Sequence, residues 1–222
     1  MSLILNIDTA LTTASICLAK DEEIVQLAIN DNQKDHAAWL HSTIASLLLQ
    51  NNFSIQQLDA VGVSIGPGSY TGLRVGLAAA KGLCFAQNIP LLAVSTLQMI
   101  AYAVKEEAAH LICPMIDARR MEVFTALYDK SMKEKTAAHA LIVDENSFSS
   151  LLDADKVLFC GSGSKKLQPL ITNSNADFSD TSSNASHLAQ LAFTHFRKEE
   201  FVDLAYSEPL YIKEFYSPDR KS

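Results

Sequence analysis

The sequence predicts an α/β protein of two lobes, each a mixed sheet flanked by helices. Three observations carry that prediction. The chain has 222 residues, 48% of them apolar and 19% charged, which is ample material for a packed core and the opposite of a disordered composition. Its strand-like and helix-like segments follow one order that is used twice, several strands first and then helix and strand in alternation. An aspartate also closes the first strand of each run, Asp8 after "LILNI" and Asp117 after "LICPMI". The natural boundary gives an N-terminal lobe over 1–106 and a C-terminal lobe over 107–222.

In the first run, "LILNIDTA" reads as a strand entering a turn. Alternation on either side of the charged turn "KDEE" predicts a hairpin of Ala14–Ala19 with Ile24–Ile29. Ala37, Leu40, Ile44, Leu47 and Leu48 recur at helical spacing behind Asp35, a candidate cap. "LDAVGVSI" is the next strand, and a Gly-rich turn leads into a helix over Thr71–Gln87. "PLLAVS" predicts a short strand and "TLQMIAYAVKEEA" a helix. The second run offers "LICPMID", "MEVFTALYD" and "AHALIVD" as strands, then a short helix near "NSFSSLL". The strand "KVLFCG", a turn at "GSGSKK" and a helix from about Ser186 to Lys198 complete it. The polar stretch 173–186 predicts a surface loop. The tail is apolar as far as Tyr216, which predicts a segment docked on the body.

Charge and cysteine usage narrow the function classes. The net charge is −7 and both halves are mildly acidic, so neither offers the basic face of a free-standing nucleic-acid binder. Nucleic acid would be reached through a partner or a small local patch. The N-terminus lacks the basic region of a signal peptide, and no stretch approaches the roughly 18 apolar residues of a membrane span. Cys17, Cys84, Cys113 and Cys160 lie far apart in apolar or small-residue surroundings. They predict buried, reduced thiols in a cytoplasmic protein.

The most distinctive stretch is "SIGPGSYTGLRVGLAAAKG", Ser64 to Gly82. A Gly-rich turn between strand and helix can aim backbone N–H groups at an anion. The Walker pattern fails here, because Gly72 is followed by Leu73 and Arg74 rather than Lys and Ser/Thr. A nucleophile elbow fails too, because Ser69 has Pro67 and Thr71 at ±2 instead of glycines. Docking remains: Gly72, Gly76, Ala79, Ala80 and Gly82 let another backbone approach, and Leu73, Leu77 and Leu83 supply contact area. Tight packing onto the chain's own sheet is the competing explanation.

No metal site is expected. His36 and His41 are five apart and cannot share a helix face, and His110, His139, His187 and His195 are scattered. Asp8 and Asp117 either face each other across a cleft, as a Mg²⁺–phosphate site would need, or merely cap strand ends. Arg119, Arg120 and Glu122 predict an ion-pair network near Asp117.

Together "LNIDTALTTASICLAKD", "GVSIGPGSYTGLRVGLAAAKGL", "PLLAVSTL", "IDARRMEVFTALY" and "EPLYIK" resemble the TsaB (YeaZ) family over nearly the whole chain. The resemblance implies two ribonuclease-H-like lobes of the actin/hexokinase/Hsp70 superfamily. It implies an accessory, non-catalytic subunit in the threonylcarbamoylation of adenosine next to the anticodon, in tRNAs reading codons that begin with A. The partners implied are TsaD, the catalytic paralogue, and TsaE, with a homodimer forming through the same surface when TsaD is absent. Contact with tRNA is implied only through the complex, with no membrane involvement.

The pairing surface implied comprises Trp39, Leu40, Thr43 and Leu47 on one helix. Tyr70, Gly72, Leu73, Arg74, Gly76, Leu77 and Ala80 on the next complete it, with Arg74 hydrogen-bonding near the junction. TsaD holds its metal with two histidines four apart on a helix plus an aspartate; the matching region here offers Val94, Ser95 and Thr96, so the resemblance implies no catalytic residues and no metal. The superfamily's nucleotide cleft maps to Asp8, Thr9, Gly66, Gly68, Ser69, Asp117, Arg119, Gly161 and Gly163, although "DTAL" lacks the glycine that usually follows Asp8. No intrinsic cofactor is expected beyond ATP or ADP with Mg²⁺ at a shared interface. The alternative is a nucleotide-binding or weakly phosphotransferring member of that superfamily. A peptidase ranks last, since the sequence offers no Ser-His-Asp or zinc arrangement.

Overall fold

Leu3, Leu5 and Ile7 point to one face of strand β1 (Leu3–Asp8), and Ile4, Asn6 and Asp8 to the other. All six are buried, so β1 is a central strand covered on both sides. The computed structural model describes residues 1–32 and 36–213. The expected cap Asp35 and the end of the apolar tail at Tyr216 lie outside the described residues.

β2 (Ala14–Lys20) runs antiparallel to β1 and to β3 (Glu23–Asn30), forming the expected hairpin. Helix α1 (His36–Gln50) follows, then β4 (Ala60–Gly66), α2 (Tyr70–Gln87), β5 (Leu91–Ser95) and α3 (Thr96–Ala103). β4 lies parallel to β1, and β5 parallel to β4. The sheet order is β3-β2-β1-β4-β5.

The second half repeats this plan. β6 (Leu111–Asp117), β7 (Glu122–Asp129) and β8 (Glu134–Ile142) form the antiparallel part. After α4 (Ser149–Ala154) comes β9 (Val157–Cys160), parallel to β6, then α5 (Ser164–Leu167) and β10 (Ala176–Ser179), parallel to β9. The order β10-β9-β6-β7-β8 is the first sheet again with β6 in the place of β1. Two mixed ribonuclease-H-like sheets flanked by helices are therefore the observed architecture, in agreement with the predicted class.

Three local expectations need correction. The polar stretch 173–186 contains the edge strand β10, held by Phe178, whose ring stacks on Phe159 at 5.4 Å. Two apolar residues, Ala176 and Phe178, on a four-residue edge strand leave little periodicity to detect. Helix α3 stops at Ala103, and turns run from Val104 through the acidic pair Glu106–Glu107. Finally, the packing does not divide at 106/107. Leu97, Ile100 and Ala101 of α3 join Ile112, Ile116 and Tyr128 of the second lobe in one cluster. Helix α6 (Ala185–Arg197) returns to the first sheet: Ala185 and Ala189 meet Cys17 and Ala19, while Ala192 and Phe193 meet Ile4, Ala60 and Leu92. Each half thus lends one helix to the other, and Met99 of α3 meets Leu188 and Leu191 of α6 where they cross.

Candidate functional site

The ends of β1 and β6 open onto a cleft of about 1090 Å³ between the lobes. Its first wall is the β1–β2 turn, Ala10 to Thr13, with Gly68 to Thr71 at the start of α2. Its second wall is Asp117 to Arg119, Gly161, Ser162 and Lys165, closed by 179–183. Crevices at strand carboxyl ends are the usual ligand location in α/β sheets.

The nine predicted cleft residues separate into two groups. Gly68, Ser69, Asp117, Arg119 and Gly161 line the cleft, whereas Asp8, Thr9, Gly66 and Gly163 do not. Asp8 is 1% exposed, and its Oδ1 accepts from the Ser64 hydroxyl at 2.6 Å and from the Ala10 amide at 3.1 Å. Burial pushes this carboxyl above its ordinary value, and the two hydrogen bonds only partly oppose it. Asp117 is different. Some desolvation raises its pKa, but Lys166 Nζ at 2.6 Å and the Arg119 amide at 2.6 Å outweigh it and hold the carboxylate ionised.

One carboxyl is therefore turned inward and the other is already paired with an ammonium. The Asp8/Asp117 pair does not fit a Mg²⁺–phosphate site. The expected Arg119–Arg120–Glu122 network is also replaced: Asp117 pairs with Lys166, and Glu122 pairs with Lys213 at 2.5 Å.

Thr9 and Gly66 have structural work instead. Thr9 Oγ1 donates to the Gly72 carbonyl at 2.7 Å. A Cβ on Gly72 would press on the Thr9 carbonyl, and one on Gly76 would press on Thr9 Oγ1. Gly72 and Gly76 let the chain's own first turn approach α2. Gly66 has φ +121°, and a Cβ there would lie 2.7 Å from the Leu210 carbonyl.

The expected pairing surface needs a matching correction. Leu40, Leu47, Leu73, Leu77 and Ala80 are all 5% exposed or less, and Gly72 and Gly76 are buried, so these seven face the protomer's own core. Trp39 and Thr43 are half-buried; Tyr70 and Arg74 are exposed. The outer face of the paired helices carries other residues, Phe85 at 81% exposure on α2 and Leu49 at 78% on α1. A Cβ on Gly82 would meet nothing within 4 Å. Leu73, Leu77, Ala80 and Cys84 recur every three to four residues, the stripe a helix turns to its own sheet. That periodicity was the available signal for telling the inner face from the outer.

Arg74 bonds within the chain. Its Nε donates to the Tyr211 hydroxyl at 3.0 Å and its guanidinium lies 4.0 Å from the Tyr70 ring centroid.

Comparison with known proteins gives this geometry its relatives. The family model described as TsaD, tRNA N6-adenosine threonylcarbamoyltransferase, matches residues 28–208. A Bacillus subtilis protein named tRNA threonylcarbamoyladenosine biosynthesis protein TsaB is 34% identical over 161 residues, covering 71% of this chain and 70% of its own. The chain belongs to the TsaB/YeaZ branch of that family. The Haemophilus influenzae TsaB is 27% identical over 227 residues, covering 95% of this chain and 93% of its own. The solved structure of YeaZ from Pseudomonas aeruginosa superposes with a TM-score of 0.78 at 25% identity, over 95% of this chain and all of that one.

In this TsaB/YeaZ chain, the position where the resemblance places TsaD's metal-binding histidines is the β5–α3 junction. Val94 and Thr96 are buried there, on either side of Ser95. Among the described residues no group of three or more His, Cys, Asp or Glu could hold a metal ion. No helix among them is long and apolar enough to cross a membrane.

Proposed function

We propose that this chain is a non-catalytic partner subunit in the threonylcarbamoylation of tRNA, in the cytoplasm. It pairs with a TsaD-type catalytic subunit, with TsaE joining the pair, to modify the adenosine beside the anticodon in tRNAs reading codons that begin with A. Alone, it pairs with a second copy of itself through the same face. The observation that carries this reading is the outer face of α1 and α2. Phe85 and Leu49 are left almost wholly in solvent, and Gly82 keeps an open gap on α2 at a helix cost of roughly 1 kcal/mol relative to alanine. Large exposed apolar side chains beside a bare stretch of helix suit a docked helix better than water.

The test is co-elution with the TsaD of the same organism, using Phe85→Glu. Its side chain lies in solvent, so the fold should stand. A charge placed in a docked apolar contact should weaken pairing by about 30-fold or more, the scale of an interface hot spot, and modification should fall with it. Undiminished pairing and modification would overturn the surface. Leu77→Glu is no test of docking, because Leu77 is 5% exposed and the charge would enter the chain's own core.

A second reading concerns the cleft. The N-terminus of α2, with Arg119 and Lys165 opposite, offers positive potential to an anionic ligand such as ATP or ADP. Such a nucleotide would be held without the Asp8/Asp117 pair. Calorimetry with ATP, with and without Mg²⁺, decides it: Mg²⁺-independent heat supports the reading, and no heat at millimolar nucleotide removes it.

A further inference from the structure

After α6 the chain makes a single antiparallel bridge from Val202 to Leu91, turns over Leu204–Tyr206 and then runs as a strap over α2. Hydrogen bonds and a ring contact seat residues 203–213 on the first lobe. Lys81 Nζ donates to the carbonyls of Ala205 at 3.2 Å and Ser207 at 3.1 Å. The Leu210 amide donates to the Ile65 carbonyl at 2.7 Å, over Gly66, which has no Cβ to block it. The Tyr211 ring lies 5.4 Å from that of Tyr70 and its hydroxyl accepts from Arg74. Then the strap leaves the first lobe, and Lys213 Nζ reaches Glu122 at the start of β7 in the second.

The two ends of this crossing sit on the rim of the cleft. Tyr70 lines the cleft on one side. On the other, the Glu122 carbonyl accepts from Lys166 at 2.9 Å, and Lys166 is the partner of the cleft residue Asp117. At the base the lobes are joined by the apolar crossing of α3 and α6. The structure is thus hinged by packed side chains and tied at the rim by hydrogen bonds and one ion pair.

We infer that residues 203–213 form a clasp that sets how far the interlobe cleft opens, with Lys213–Glu122 as its catch. The Lys213 side chain is 56% exposed and that of Glu122 is 20% exposed. An ion pair so open to water is weak, which suits a catch that releases readily. The apolar base holds the lobes together when it does. A ligand or partner that touches the strap on α2 thereby gains a handle on the cleft.

The test is hydrogen exchange on the full chain, comparing wild type with Lys213→Ala, Glu122→Gln and the double variant. These polar substitutions on exposed or rim positions leave both cores untouched. Exchange in the cleft segments 10–13 and 179–183 should quicken by about two- to fivefold in each single variant, the scale of an exposed ion pair. The double variant should show no further gain, because both changes break one contact. Acceleration confined to 203–213, unchanged exchange in the cleft segments, or additive effects in the double variant would each overturn the clasp.

Discussion

Thr9 Oγ1 donates to the carbonyl of Gly72 at 2.7 Å, tying the turn after β1 to the first turn of α2 across 63 positions of sequence. Both groups are buried, so the bond has no water to replace it. Thr9→Val keeps the shape and removes the donor, and should cost about 1–2 kcal/mol in urea unfolding. Gly72→Ala forces the Thr9 carbonyl to move and should cost about 1–3 kcal/mol, as overpacking does. A loss below about 0.5 kcal/mol for both, small against any buried hydrogen bond, would show that this contact is not holding the turn.

Gly82 on the same helix should behave in the opposite way. A Cβ there meets nothing within 4 Å, so Gly82→Ala should stabilise the isolated chain by about 0.5–1 kcal/mol through helix propensity. Larger residues at 82 should spare the fold and weaken pairing with TsaD. Equal pairing by Gly82→Ala and Gly82→Trp would show that no backbone docks there.

Asp8 makes stability depend on pH. Its folded-state pKa lies above the ordinary 3.8 because burial disfavours the charge. A raised acid contributes stability that is fully present below the unfolded value and is lost as pH rises toward the folded one. Asp8→Asn should therefore flatten the fall in Tm as pH climbs from about 4, an unfolded aspartate's pKa, and raise Tm near neutrality. A gain of about 2–4 °C is expected for each kcal/mol recovered. Parallel Tm profiles for the two proteins would mean that Asp8 stays ionised.

The four cysteines should be silent in the native state. All are buried and free, and burial pushes Cys17 and Cys113 up to about 12, Cys84 to about 11 and Cys160 higher still. Since the thiolate is the nucleophile, a thiol reagent at pH 8 should label none of them until denaturant is added. Rapid labelling of any one would place it outside the core described here.

The sheets were legible in the sequence because strands announce themselves locally. Alternation around "KDEE" marks the first hairpin, and the apolar runs ending in Asp8 and Asp117 mark the two central strands. What was not legible was which surface each amphipathic helix would cover. Leu188, Ala189, Ala192 and Phe193 show that α6 has an apolar face, but no local pattern says that this face returns to the first sheet. The same limit governs the site. The small-residue run in α2 signals close approach, yet only the fold shows that Thr9 is what approaches Gly72 and Gly76. Asp8 and Asp117 look equivalent in sequence, and Ser64, 56 positions away, turns one of them inward.

The exchange of α3 and α6 between the sheets has a consequence for how the molecule comes apart. A fragment ending near residue 106 would keep five strands but bare the back of its sheet, where Ala185, Ala192 and Phe193 belong. A fragment beginning there would lack Leu97 and Ile100 from its own core. Two sheets of the same pattern therefore share their packing, and the chain should melt in one calorimetric transition where its duplicated topology alone would suggest two.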